Sequence, residues 1–180
     1  NLVDRGREMY SAVLYKEDVM AVRRLVKDRR PKLARLLEKI NKKLLEYKRN
    51  CDTYEILENL GMLPLDLLQV TAEMEEYLED EHDSTVRQEV LQLYFTLLTF
   101  QNIYDLLDDN YVIYSQHDED GRFRVKLFCV NPAVNLQNCL DQVRSTVFFS
   151  ATLLPINYYR KLLSNRADDY AIYAETSFLP

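Results

Sequence analysis

Thr146-Val147-Phe148-Phe149-Ser150-Ala151-Thr152-Leu153-Leu154-Pro155 is the stretch on which the reading of the fold turns. Val147-Phe148-Phe149 is β-branched or aromatic throughout and bounded by polar residues. Such a run predicts a strand buried on both faces of a parallel sheet. It stops abruptly at Ser150-Ala151-Thr152, two hydroxyls around a small residue. In open α/β sheets the carboxyl ends of strands are where ligands and reacting groups gather. Pro155 suits the first turn of a following helix, where a fixed φ and a missing N–H cost nothing. On three residues alone, a core strand ending in a serine-threonine turn is the plainer reading, since S-A-T is too short to be specific.

Working outward, a helix is predicted over Ile156–Ser164 and a last strand near Tyr170–Ala174. Upstream, Asn131-Pro132 reads as a cap followed by a first-turn proline, opening a short helix to about Gln142. Before it, Arg122–Cys129 alternates, with Phe123, Val125, Leu127 and Cys129 on one face and Arg122, Arg124 and Lys126 on the other. With Tyr111–Ser115 and a turn at His117–Gly121 it reads as a β-hairpin. From there to the end, the order β-α-β-α-β predicts a parallel α/β sheet.

The first two thirds read differently. Leu2, Arg5, Met9 and Val13 predict a helix over Asn1–Leu14, and Lys16–Arg30 a second, ended before Pro31. Lys32–Arg49 carries Leu33, Leu37, Ile40, Leu44 and Tyr47 at 4-3-4-3 spacing, a seam for another long helix. Lys32, Arg35, Lys39, Lys42 and Lys43 lie off that seam, as a solvated face or as one that meets phosphates. A short helix is expected over Asp52–Leu60, with Gly61 at the cap position. Leu65–Glu81 comes next, its far end crowded with carboxylates that oppose the macrodipole, so that end should fray or meet a basic partner. Ser84 is placed to cap Thr85–Leu107, whose stripe is Val86, Val90, Leu93, Leu97 and Tyr104. Three such helices suggest an antiparallel hairpin or bundle.

The 180 residues are 47% apolar, enough for a real core, and hold only 3 Gly and 5 Pro, which disfavours a turn-rich all-β fold. No apolar run approaches the roughly 20 residues of a membrane span. The net charge of −6 conceals an asymmetry. Residues 1–50 hold 15 Lys+Arg against 7 Asp+Glu, whereas residues 73–120 hold 14 acids and a single base, Arg87. Total charge argues against nucleic acid, and the local basic region leaves it open.

Cys51, Cys129 and Cys139 form no C-x-x-C pair and read as reduced thiols of a cytoplasmic protein. His82 and His117 stand alone in acidic surroundings, and Asp118-Glu119-Asp120 lacks the spacing of a calcium loop. The 13 tyrosines could stack bases, though most fall on helical core faces. The sequence has no Gly-rich phosphate loop and no serine beside a plausible His and Asp.

At the front, N-L-V-D-R-G-R-E-M-Y-S-A (Asn1–Ala12) resembles the segment just after the D-E-A-H box in DinG-like DNA helicases. At the back, V-K-L-F-C-V-N-P (Val125–Pro132) and S-T-V-F-F-S-A-T-L-L-P-I-N-Y-Y (Ser145–Tyr159) resemble the third helicase motif of the DinG/XPD branch of superfamily 2 and its approach. The closing E-T-S-F-L-P (Glu175–Pro180) is similar to the crossing into the second motor domain. The resemblance covers both ends and is silent in the middle, where the family carries its helical arch. It implies a parent that is an ATP-dependent DNA helicase moving 5′ to 3′ on single strands, with this chain cut just after the D-E-A-H box. By the same resemblance Ser150 and Thr152, with Ala151 as the small spacer, couple hydrolysis to unwinding.

The expected fold is α+β and mostly helical, a helical arch inserted in part of a RecA-like α/β motor domain. Residues 1–15 are assigned to that motor domain, 16–110 to the arch, and 111–180 to the hairpin and the return. No cofactor is expected in this chain; the resemblance implies ATP and magnesium for the parent and leaves an iron–sulfur cluster open. Single-stranded DNA and the remaining motor domains are the expected partners, with no membrane. Contact with DNA is expected through Lys39, Lys42 and Lys43, or through Arg122, Arg124 and Lys126. Two other classes remain in play: a stand-alone helical interaction module, and a small independent enzyme.

Overall fold

The computed structural model of the protein describes residues 2–80, 85–150 and 152–173. In chain order the elements are α1 (Leu2–Met9), β1 (Ala12–Tyr15), α2 (Lys16–Val26), α3 (Pro31–Asn50), β2 (Tyr54–Ile56), α4 (Leu63–Asp80), α5 (Thr85–Tyr104), β3 (Tyr111–His117), β4 (Phe123–Cys129), α6 (Ala133–Leu140) and α7 (Ile156–Leu163). The fold is α+β and mostly helical, as expected. It divides into two compact units, one of Ser11–Cys129 and the other of the segments before and after it.

In the larger unit the four strands form one antiparallel sheet in the order β1-β4-β3-β2. The alternation along β4 is obeyed residue by residue: Phe123, Val125, Leu127 and Cys129 are buried, and the residues between them are half-exposed. The buried face joins Ala12 and Leu14 of β1 and the apolar stripes of α2 to α5 in one core. On α3, Leu33, Leu37, Ile40 and Leu44 are buried, so the seam seen in the sequence is the seam in the fold. Pro31 opens that helix at a position where its missing N–H is of no consequence. Gly61, at φ +54°, stands just before α4, with its N–H donated to Asn59 Oδ1 at 2.9 Å.

The charge asymmetry is answered in part inside this unit. Lys32 Nζ lies 2.5 Å from Glu73 Oε2, Lys39 Nζ lies 2.7 Å from Asp66 Oδ1, and the Arg30 guanidinium pairs with Asp80. Of the carboxylates toward the end of α4, Glu73 and Asp80 thus meet bases from α3 and the α2–α3 turn, which eases part of their conflict with the helix dipole.

In the other unit, Val3 of α1 is buried with Leu162 and Leu163 of α7, and Leu136, Leu153 and Tyr159 pack against them. Gly6 permits the close approach of α1 to the start of α6: a Cβ there would stand 3.3 Å from Pro132 Cγ. Arg7 Nε donates to Val130 O at 2.9 Å and Tyr10 Oη to Asn135 O at 3.3 Å.

Several expectations are corrected. The first helix ends at Met9, and Ala12–Tyr15 is a strand rather than helical, because β4 offers it a ladder partner far along the chain. Tyr54–Ile56 is an edge strand on β3, not part of a helix over Asp52–Leu60. The second helix stops at Val26, short of Arg30. Val147–Ser150 forms no strand, and Val147 and Phe149 are 80% and 90% exposed. A strand needs neighbours to pair its N–H and C=O groups, and no described residue pairs with this one. For the same reason Tyr170–Tyr173 is not a strand, and the parallel α/β sheet is absent among the described residues. Ala174, Ser84 and Glu175–Pro180 lie outside the described residues.

Candidate functional site

The hairpin bases stand on the side of the sheet away from the core. Registration places Tyr15 and Gln116 on either side of Arg124, and Val13 and Tyr114 on either side of Lys126. Arg124 donates to Gln116 Oε1 at 3.1 Å and to Tyr15 Oη at 3.3 Å. Its Nε also lies 3.0 Å from Asp118 Oδ1, an ion pair in which that N–H is not aligned on the oxygen. Tyr15 Oη donates to Asp118 Oδ2 at 2.9 Å. Burial, helped by that donation, pushes the Tyr15 phenol up, and the Arg124 cation opposes the rise. The Arg122 guanidinium lies 3.8 Å from the Tyr15 ring centroid and 2.6 Å from Asp18 Oδ1. Lys126 Nζ lies 5.1 Å from the Phe128 ring, which meets Tyr114 edge-on at 6.5 Å.

Arginine and lysine over aromatic rings on a sheet face are groups that can meet phosphates and stack bases. Tyr15, Tyr114 and Phe128 were not among the expected site residues. The period-2 rule would have found Phe128, which shares a face with Arg124 and Lys126. The pairing that brings Tyr15 beside them could not be read locally.

The α3 lysines are spent differently. Lys39 is bound to the buried Asp66. Lys43 Nζ is 2.7 Å from Glu46 Oε2 and 5.4 Å from the Tyr47 ring. Lys42 is exposed. Tyr47 is partly buried, its hydroxyl donates to Leu60 O at 2.9 Å, and burial, with Glu46 nearby, pushes its pKa up to about 12.

The motif residues Ser150 and Thr152 are exposed, in the unit that also holds α1, α6 and α7. Their hydroxyls are 2.9 Å apart, and the Thr152 N–H donates to Ser150 Oγ at 3.1 Å. Ala151 lies outside the described residues, as does His82. His117 is half-buried on β3, its ring 5.3 Å from that of Phe123. Among the described residues no three His, Cys, Asp or Glu side chains gather where a metal could be held, and no helix is long and apolar enough to cross a membrane. Cys51 and Cys129 are buried thiols, and Cys139 is exposed.

The site residues thus form three separate sets: the sheet face with Arg122, Arg124 and Lys126; the α3 face with Lys39, Lys42 and Lys43; and the hydroxyl pair Ser150 and Thr152. No protein-family model matches this chain, and no curated protein matches it.

Proposed function

We propose that the chain is part of an ATP-dependent DNA helicase of the DinG/XPD type, moving 5′ to 3′ on single-stranded DNA. In this reading the helices between Lys16 and Leu107 form the arch, and both ends of the chain belong to a RecA-like motor domain. The observation that carries it is the pair of motif stretches at Asn1–Ala12 and Ser145–Tyr159, combined with the path of the chain. That path leaves one compact unit after Tyr10 and rejoins it at Val130. An insertion into a motor domain requires such a path. The uncovered Val147 and Phe149 are consistent with it: apolar side chains this exposed suit a surface that the rest of the parent would cover.

Ser150 and Thr152 are then coupling residues. A hydroxyl both donates and accepts, so a linked pair can bridge the carboxylate and histidine of a D-E-A-H box to the DNA-bearing surface without taking part in hydrolysis. Such a bond contributes about 0.5–1.5 kcal/mol, enough to bias a motor between states. In the parent, S150A/T152A should lower strand displacement more than ATP hydrolysis. Equal losses in both assays would assign these residues to hydrolysis itself, and no loss in either would return them to a simple turn.

The chain by itself should neither hydrolyse ATP nor bind it at micromolar concentration, since its sequence has no Gly-rich loop and lysine for the phosphates. Any affinity for single-stranded DNA should fall steeply with salt, as phosphate contacts do. Glutamate at Lys39, Lys42 and Lys43, or at Arg122, Arg124 and Lys126, should weaken it. The coding sequence immediately upstream of Asn1 decides the family reading: a D-E-A-H box or a close variant upholds it, and an unrelated sequence ends it.

A further inference from the structure

The acidic stretch of residues 73–120 has no role in a DNA-binding reading, and in the fold it frames an uncovered apolar surface. On α4, Leu65, Leu68 and Ala72 (i, i+3, i+7) are all exposed, the two leucines at 52% and 54%. On α5, Leu91, Phe95 and Leu98 (i, i+4, i+7) lie opposite the buried Val90, Leu93, Leu97 and Phe100, and Phe95 is 56% exposed. The helices run antiparallel in contact: Tyr94 Oη donates to Glu75 Oε1 at 2.6 Å, and Gln101 Nε2 lies 3.5 Å from Thr71 Oγ1. Those two links fix the register, with Leu98 level with Ala72 and Phe95 level with Glu75, so the two rows follow one another along one exposed face, Leu65 and Leu68 toward one end and Phe95 and Leu91 toward the other. Exposed Glu75 and Glu79, with the half-exposed Arg87 beyond them, stand toward one end of it and exposed Asp105 at the other, so carboxylates outnumber the one base.

That charge pattern selects the occupant. An anionic lipid surface or a nucleic acid is repelled by carboxylates at both ends. A second copy fares less well than a cationic partner, because face against face it brings one base, Arg87, to the carboxylates of both ends. A cationic helix with one apolar stripe satisfies both features at once. From Leu65 to Glu79 the α4 axis runs about 21 Å at 1.5 Å per residue, the length of about four turns.

We propose that the exposed α4–α5 face binds an amphipathic helix of a partner protein, about four turns long, apolar along one stripe and lysine- or arginine-rich at both ends. Leu68 and Phe95 are the anchors, and Glu75 and Glu79 orient the partner. None of this rests on the helicase reading.

The test uses the whole chain and two labelled leucine–lysine peptides of about 18 residues, five turns at 3.6 residues each. One gathers its leucines on a single stripe; the other has the same composition with the leucines scattered. Fluorescence anisotropy should find the striped peptide binding at least tenfold tighter than the scattered one. L68S/F95S should lose at least tenfold of that affinity with its thermal midpoint unchanged, since both side chains are exposed and their removal leaves the core intact. E75Q/E79Q should weaken binding about threefold and flatten its salt dependence. Equal binding of the two peptides would reduce the face to bulk charge and overturn the proposal, as would L68S/F95S binding like the wild type. A dimer in sedimentation that L68S/F95S dissolves would overturn it in favour of a second copy.

Discussion

Asp66 is a carboxylate on a buried helix face, and Lys39 is what makes it tolerable there. Removing the lysine leaves an unpaired charge in the protein interior, a costly arrangement. Because Lys39 is itself more than half exposed, water screens the pair, and we expect Lys39→Met to cost about 1 kcal/mol in urea unfolding. The same change at exposed Lys42 should cost under about 0.5 kcal/mol. Equal costs would mean that the Asp66 pair contributes nothing specific. Tyr47 offers a second check, with pH as the variable. Its folded pKa of about 12 lies above the usual 10, so the folded chain holds a proton that the unfolded chain releases. The stability from that neutral phenol is fully present below pH 10 and is lost as pH rises from 10 toward 12. Lysines also titrate in that window, so the comparison is with Tyr47→Phe. The variant should lose about 1 kcal/mol near neutral pH with its hydrogen bond to Leu60, yet decline less steeply above pH 10 in chemical denaturation.

Among the elements, the β3–β4 hairpin depends on one backbone position. Gly121 sits at φ +83°, with its N–H on Asp118 O at 2.9 Å. A Cβ there would meet nothing within 4 Å, so Gly121→Ala tests conformation without crowding. It should cost about 1–2 kcal/mol and lower the melting midpoint by a few degrees; an unchanged midpoint would mean that the turn relaxes freely. This hairpin, α3, α4 and α5 were all legible in the sequence, because their signals are local: period 2 in β4, the 4-3-4-3 seam in α3. What was not legible needed a distant partner. Ala12–Tyr15 continued a plausible helical stripe and became a strand only through its register with Arg124–Leu127. Val147-Phe148-Phe149 had strand composition and met no ladder among the described residues. The candidate site divides the same way. The cations were visible as residues, but the carboxylates that occupy them, Asp66, Asp18 and Asp118, are brought there by the fold.

At the scale of the molecule, the core of sheet and helices lies wholly between Ser11 and Cys129. That stretch should fold by itself. Expressed alone, residues 11–129 should be helical by circular dichroism and melt in one cooperative transition; a chain without a transition would show that its core needs the flanking segments.

The Cys129 N–H donates to Ser11 Oγ at 2.9 Å, so chain entry and exit meet at one corner of the sheet. Ala12 pairs with Leu127 and Tyr15 with Arg124, hence β1 and β4 diverge from that corner like the two tabs of a zipper. Tension drawn through the two connections loads the rungs one after another, beginning at this clasp, instead of shearing them together. In optical tweezers with handles at Ser11 and Cys129, the unit should yield at much lower force than with handles at Ser11 and Phe123, which pull β1 and β4 past one another and load all their rungs together. A machine that tugged on this unit through its own chain would feel a soft coupling, released strand by strand.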